Sequence, residues 1–313
     1  NNFVKKAEEK LGKYYKAIDP DGKEGYIRHV IWTEVLICSC CKKEISYFGV
    51  GVERNPVKFN KSVKCPYCGK MSNVNEMDFA VEEYSDFVLR QTRKRKKRIP
   101  AWIYGCTDGK NWDRAVQQDD IKLIKDMDVD ASSITPKKIK WGELHRKGYH
   151  YGIDYLHQFY TERNFIVMNQ LWEMTNDYDD KVRDALRLML LSYNASHCTL
   201  MTRVVAKKAS KDFVLTGAQS GVLYISKLPV EKNILLGLRR KAKPIAEAYK
   251  LLQDCKGHFE VRNQSSQQLF LQLQELLRKT YLPSCQRLMT SLSGIFLIAK
   301  LTLVYPCKPL ENG

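Results

Sequence analysis

Four cysteines carry the clearest chemistry in the chain. Cys38-Ser39-Cys40-Cys41 and Cys65-Pro66-Tyr67-Cys68-Gly69 are two Cys-x-x-Cys pairs with 23 residues between Cys41 and Cys65. A tight turn presents two sulfurs at that spacing, and two such turns close a tetrahedron around one ion. Four thiolates leave no open coordination position, so the expected ion is structural Zn2+ held by Cys38, Cys41, Cys65 and Cys68 in a zinc ribbon. Cys40 lies beside the first pair and competes on position, but Cys38 and Cys41 have the better spacing. An iron–sulfur cluster uses the same ligand type, and a ribbon of this length favours zinc. A small lobe of this kind has little core, so metal binding supplies much of its folding energy.

The second chemical signal is charge. Lys plus Arg number 52 against 35 Asp plus Glu, a formal net charge of +17 that favours a polyanionic partner. It is concentrated in Arg90, Arg93, Lys94, Arg95, Lys96, Lys97 and Arg98, a run that gains from a phosphate backbone through counterion release. A solvated linker is the plainer reading of such a run. Further on, Lys137, Lys138 and Lys140 sit among Trp141, Tyr149 and Tyr151, a basic and aromatic mixture suited to phosphate contact and base stacking, or to an irregular surface loop. The expected polyanion is nucleic acid first, contacted through its backbone, and an anionic membrane second, and charge alone does not choose between them.

Other chemistries lack their residues. There is no Gly-x-Gly-x-x-Gly, no P-loop and no convincing Ser/His/Asp or Cys/His arrangement, and His145, His150 and His157 are too irregularly set for a second metal. The ten cysteines do not form a secreted disulfide framework, and no signal peptide is visible. The longest apolar stretch, Ile295–Val304, is short and broken by Lys300, which argues against a membrane span. A cytoplasmic protein with no membrane partner is expected.

The elements that must position these residues follow from pattern. Val30–Ile37 and Glu44–Val50 read as strands flanking the first cysteine pair. Ala101–Tyr104 and Lys110–Trp112 read as strands joined at the turn signal Asp108-Gly109, and Asp119–Asp128 reads as a short helix. Thr161 caps a helix with Phe165, Met168, Leu171, Trp172 and Thr175 at helical spacing, and Asp179 or Asp180 starts another carrying Val182, Ala185, Leu186, Met189, Leu190 and Tyr193. Val222–Ile225 is strand-like and ends at Pro229, a helix is expected over Val230–Leu252 with Pro244 as a kink, Phe259–Val261 is a short strand, and Ser266–Lys279 is a helix. Alternating strands and helices suggest an α/β protein with part of a doubly wound sheet, an inserted β zinc ribbon and a helical region. Four regions are expected: a ribbon lobe over 1–88, a basic insertion over 89–158, a helical and partial α/β core over 159–282, and an atypical tail over 283–313.

Three segments in this order resemble a bacterial and archaeal family of adenine-specific DNA methyltransferases. They are Tyr26–Val35 leading into Cys38, Phe159-Tyr160-Thr161-Glu162-Arg163-Asn164, and Gly221–Asn233 with its Glu231-Lys232-Asn233 ending. Gln264–Leu269 resembles the strand exit before that family's catalytic loop, so the likeness covers roughly residues 14 to 282 with gaps. The resemblance implies a Rossmann-like enzyme that transfers methyl from S-adenosylmethionine to an exocyclic amine, with adenine N6 favoured, in a base flipped from duplex DNA. It also implies a restriction–modification partner. The family's Gly-rich cofactor motif is expected upstream of the ribbon, and its Asp-Pro-Pro-aromatic loop shortly after Leu269. The stretch Leu282–Gly313 lacks that loop, as a frame-shifted or misassembled tail would. The resemblance therefore implies the middle of a methyltransferase with no catalytic residue of its own. The alternative is a non-enzymatic zinc-ribbon nucleic-acid-binding protein.

Overall fold

The fold is organised by one long strand. The computed structural model describes residues 2–125, 134–141, 150–207, 212–218 and 223–252. The chain divides into two compact units, 1–242 and 243–313, and only 243–252 of the second is described. Helix α1 (Asn2–Leu11) buries Phe3, Val4, Ala7 and Leu11 along one face and leads into β1 (Lys16–Ile18). Strand β2 (Glu24–Ile37) follows, and 14 residues make it the spine of a seven-stranded sheet.

The middle of the chain is a series of hairpins. After β3 (Glu44–Ser46) comes the one-turn helix α2 (Tyr47–Gly51), capped by the Ser46 hydroxyl. Then follow β4 (Val52–Arg54) with β5 (Val57–Phe59), β6 (Ser62–Lys64) with β7 (Met71–Asn73), the short β8 (Asp78–Phe79), and β9 (Val81–Asp86) with β10 (Gln91–Lys96). Strands β11 (Arg98–Thr107) and β12 (Lys110–Ala115) form the expected hairpin, with Asp108 and Gly109 both at positive φ as a type I′ turn needs. Trp112 lies flat on Gly105, where a Cβ would fall 2.1 Å from its ring.

Helices dominate the rest. They are α3 (Gln118–Lys125), α4 (Glu162–Met174) and α5 (Asp180–Tyr193). A small hairpin, β13 (Arg203–Val205) with β14 (Val214–Thr216), precedes β15 (Val230–Lys232) and α6 (Ile234–Leu252), which contains Pro244.

Pairing around β2 is antiparallel throughout. Tyr26 pairs with β1 and β11, Val30 and Ile31 with β15 and β11, and Leu36 and Ile37 with β3 and β8. A residue paired twice uses both edges of its strand. One edge of β2 therefore carries β11 and β8, the other β1, β15 and β3. Two register shifts in β11 bend that strand, and the sheet curls as an open half-barrel.

This corrects the expected architecture. A partial Rossmann-like sheet requires parallel strands joined by helical crossovers. Here Val230–Lys232, expected as helix, is a strand running antiparallel to His29–Ile31, and α6 starts at Ile234 behind an Asn233 cap. Residues 223–226 are irregular; Ile225 is buried with Ile153, Phe159, Leu200 and Met201. The expected elements at 259–261 and 266–279, and the tail 283–313, lie outside the described residues.

The helix starts agree better. Thr161 caps α4 by accepting from the Asn164 amide, and Asp179 caps α5 by accepting from Val182. The buried face of α4, however, contains Arg163 and Asn164 beside Ile166, Val167, Met168, Leu171 and Met174, while Phe165 and Trp172 are only half-buried. A search for apolar spacing misses buried polar residues that have partners.

Those partners form the polar centre of the fold. Arg163 donates to both oxygens of Glu231, Nε to Oε1 at 2.7 Å and Nη2 to Oε2 at 2.8 Å. Trp32 Nε1 and the Thr161 hydroxyl donate to the same carboxylate at 2.9 and 2.8 Å. Arg163 is 3% exposed and Glu231 2%. Around them Tyr15 donates to Asn164 Oδ1, while Asn233 Nδ2 donates to the Ile27 carbonyl. Burial pushes the Glu231 carboxyl up, but the Arg163 charge and the hydrogen bonds from Arg163, Trp32 and Thr161 outweigh it and hold it below the usual carboxylate range.

Removing one partner strands the other charge in the interior. Glu231→Gln and Arg163→Met should each cost about 3–5 kcal/mol in urea unfolding, and the double variant far less than the sum. Because the Glu231 carboxyl is depressed in the folded state, its contribution is present above the usual carboxylate range and lost as pH falls below it. Acid titration should show that loss in the wild type and less of it in Glu231→Gln.

Candidate metal centre

The cysteine pairs sit on two turns with matching backbone. In the first, between β2 and β3, the Cys38 amide donates to Lys43 O at 3.0 Å and the Lys42 amide to Cys38 O at 3.1 Å. In the second, between β6 and β7, Cys65 donates to Lys70 O at 2.9 Å and Gly69 to Cys65 O at 3.0 Å. The residue after each second cysteine is left-handed: Lys42 at φ 58° and Gly69 at φ 71°. Gly69 adopts that conformation freely, whereas Lys42 carries a Cβ penalty.

The turns bring their sulfurs together. The ligand sulfurs of Cys38, Cys41, Cys65 and Cys68 all lie within 4.8 Å of one another. Cys38 Sγ is 3.7 Å from Cys68 Sγ, and Cys41 Sγ is 3.7 Å from Cys65 Sγ. Metal–sulfur bonds of about 2.3 Å in a tetrahedron place sulfurs about 3.8 Å apart. A disulfide would need about 2.05 Å. The residues fit one tetrahedral ion, so a four-cysteine metal-binding cluster stands where the spacing put it. Cys40 is exposed and outside the cluster. Among the described residues no other group of His, Cys, Asp or Glu is arranged to hold a metal.

The site is anchored from below. Cys38 and Cys65 are buried in one core cluster with Ile31, Leu36, Ile45, Tyr47, Val63 and Val74. Backbone N–H groups of Cys41 and Cys40 point at Cys38 Sγ and pull its thiol down to about 6, while at Cys41 the pull of the Lys43 amide is outweighed by burial and by the sulfurs of Cys38, Cys68 and Cys65, which push its thiol up to about 11. Cys68 is exposed at the rim, beside Tyr67, which is 59% exposed and lies under the Lys43 ammonium.

The basic run is folded into the protein. Arg93 to Lys96 lie on β10, where Lys94 and Arg95 stand directly opposite Glu83 and Glu82 of β9 and pair with them. Arg93 pairs with Asp154 and Lys97 with Glu44. Lys96 and Arg98, 7% and 9% exposed, both reach Glu34 Oε1, at 3.3 and 3.1 Å. Six of the seven basic residues thus face a carboxylate; Arg90, at the exposed hairpin turn with φ 54°, has no ion-pair partner among the described residues. Lys137, Lys138 and Lys140 are exposed and unpaired among the described residues, on a segment bridged to Tyr155 through Lys138.

Sequence reasoning missed the carboxylates that organise this surface. Glu34 interrupts the apolar run Val30–Ile37, and a lone buried carboxylate in such a run requires a cation. Asp86 was missed too. It accepts from His157 Nε2, Gln158 Nε2, the Tyr84 hydroxyl and the Val88 and Leu89 amides, fixing the β9–β10 turn to residues 157–158. No helix among the described residues is long and apolar enough to cross a membrane. Comparison of the chain with known protein families, curated proteins and solved structures gives no match.

Three variants test the ligand set and the turn geometry. Cys40→Ser should keep one metal ion per chain by elemental analysis, and Cys65→Ser should lose it. Lys42→Gly removes the left-handed penalty and should raise stability by roughly 0.5–1 kcal/mol in thermal or urea unfolding.

Proposed function

We propose that this chain is a zinc-ribbon nucleic-acid-binding protein without catalysis of its own, with double-stranded DNA as its partner. The observation that carries the reading is the surface of the four-cysteine cluster. Lys42, Lys43, Lys64 and Lys70 lie in or beside its two turns, all exposed and none ion-paired among the described residues. Tyr67 stands exposed among them as a stacking face. One zinc ion with four thiolates carries a charge of −2, which these lysines more than offset. The sulfur spacing leaves room for a single ion rather than an iron–sulfur cluster, and four thiolates close the coordination shell, so the zinc is structural. Backbone contact by lysines gives affinity and position without base specificity.

A second reading places this module in an S-adenosylmethionine-dependent DNA methyltransferase acting on an exocyclic amine, adenine N6 first, with a restriction–modification partner. One observation favours it. Trp32, Thr161 with Arg163 and Asn164, and Glu231 with Asn233 come from the three resembling segments, and they meet in one buried network. In this reading the cofactor and amine-gripping groups belong to other segments, and the module docks the DNA. Radiolabelled S-adenosylmethionine with mixed DNA should give no incorporation on the chain alone.

Elemental analysis should find one zinc per chain. In fluorescence anisotropy with a duplex, the logarithm of the binding constant should fall linearly with the logarithm of salt concentration. Replacing Lys42, Lys43, Lys64 and Lys70 by Gln should weaken binding alike on unrelated sequences and lower the salt slope by about one unit per lysine. Binding that is absent, or indifferent to salt, would contradict the nucleic-acid reading.

A further inference from the structure

A second group of cations stands apart from the ribbon, where β15 and the start of α6 meet the end of α5. Lys232 pairs across the sheet with His29, and its Nζ donates to the Ser196 carbonyl at 3.2 Å. Ser196 belongs to a single π-helical turn, Asn194–Cys198, that follows α5. Such turns project side chains and carbonyls out of the regular helical ladder. His197, next in that turn, has Nδ1 engaged with the Ser196 hydroxyl at 2.8 Å and its ring edge-on to Tyr193. Gly237 of α6 faces these same two rings, with its Cβ direction 3.4 Å from Tyr193 and 3.7 Å from His197. Arg240 and Lys241 are three and four residues further on, the same face of the helix, one turn above that contact.

Three cations therefore surround one imidazole. No carboxylate among the described residues forms an ion pair with Lys232, Arg240 or Lys241, in contrast to the basic run on β10. Lys232 has three donors and uses one on Ser196. His197 Nε2 has no partner among the described residues. Burial and mutual repulsion both disfavour the charged forms of these groups. Burial, then Arg240, pulls the Lys232 ammonium down to about 8. Burial, then Lys232, Arg240 and Lys241, holds the His197 imidazole down to about 4. Positive charge concentrated in this way is relieved by an anion with several acceptor oxygens.

We propose that Lys232, Arg240, Lys241 and His197 form a phosphate-binding site at the π-helical turn after α5. The ligand is a phosphate group, supplied either by a nucleic-acid backbone or by a free phosphate or phosphomonoester. Arg240 and Lys241 close on it from α6, and Lys232 and His197 line its floor.

The test uses the full chain and two probes. Inorganic phosphate is titrated against sodium chloride at matched ionic strength while the backbone amides of Ser196, His197, Cys198 and Lys232 are followed by NMR. Saturable shifts specific to phosphate are expected in the wild type, and at least about tenfold weaker binding in the Arg240→Gln/Lys241→Gln double variant, which alters only accessible helix positions. No phosphate-specific shift, or an equal response in the double variant, would overturn the site. The second probe is a DNA duplex. Weaker duplex binding by the double variant assigns the site to a backbone phosphate. Unchanged duplex binding, with the inorganic phosphate response lost, assigns it to a free phosphate. Wild-type protein that takes phosphate but no duplex keeps this site and removes the nucleic-acid reading of the ribbon, so the two failures are distinct.

Discussion

The Glu231 carboxylate is the point at which the fold closes. It receives two donors of Arg163, Nε and Nη2, the indole of Trp32 and the hydroxyl of Thr161, so one short strand ties the helix cap of α4 to the spine strand β2. A buried ion pair of this kind is a weak source of net stability, because desolvation offsets much of the attraction. Its value is specificity. Every competing register of β15 on β2 would leave Glu231 or Arg163 charged and unpaired in the interior, at a cost of several kcal/mol. Asn164 and Asn233 extend the same logic to the backbone, satisfying the Lys232 and Ile27 carbonyls where β15 turns into α6.

The same pairing rule governs the charge of the chain. A formal +17 points outward to a polyanion, yet much of the densest basic segment is neutralised within the fold. Lys96 and Arg98 neutralise Glu34 beneath the sheet, and Lys94 and Arg95 are matched to Glu83 and Glu82 by strand register. Cations without a carboxylate collect elsewhere: around the four-cysteine cluster, on 137–140, and beside the turn after α5. Local surplus, not local density, marks where an anion gains most. The ribbon meanwhile shares its core with β2 through Cys38 and Cys65, so its metal centre sits on a platform that has its own means of folding.

What could be read in the sequence follows from how local each signal is. The four ligands were legible because turn geometry fixes Cys-x-x-Cys spacing, and Asp108-Gly109 and the caps Thr161 and Asp179 are equally local. The sheet was not legible. Val230–Lys232 has no more than three residues of strand and sits against a helical pattern, so its pairing with β2 is decided by partners some 200 residues away. The ion pairs of the basic run were not legible for a related reason. Its neighbours in sequence are basic, but its neighbours in space are Glu34, Glu82 and Glu83, and only β-register reveals them. Trp32, Thr161, Arg163, Asn164, Glu231 and Asn233 lie far apart in sequence and assemble the polar centre, which makes their segments determinants of this fold.

The polar network around Glu231 holds β2, β15 and α4 together, while a metal on the four cysteines holds only the ribbon. Native-state hydrogen exchange with and without a metal chelator tests this most directly. Chelation should speed exchange across 38–73 by orders of magnitude, while the amides of His29–Thr33 and of α4 keep their protection. Equal loss of protection in β2, α4 and the ribbon on chelation would contradict it, and would make the metal the element on which the whole unit depends.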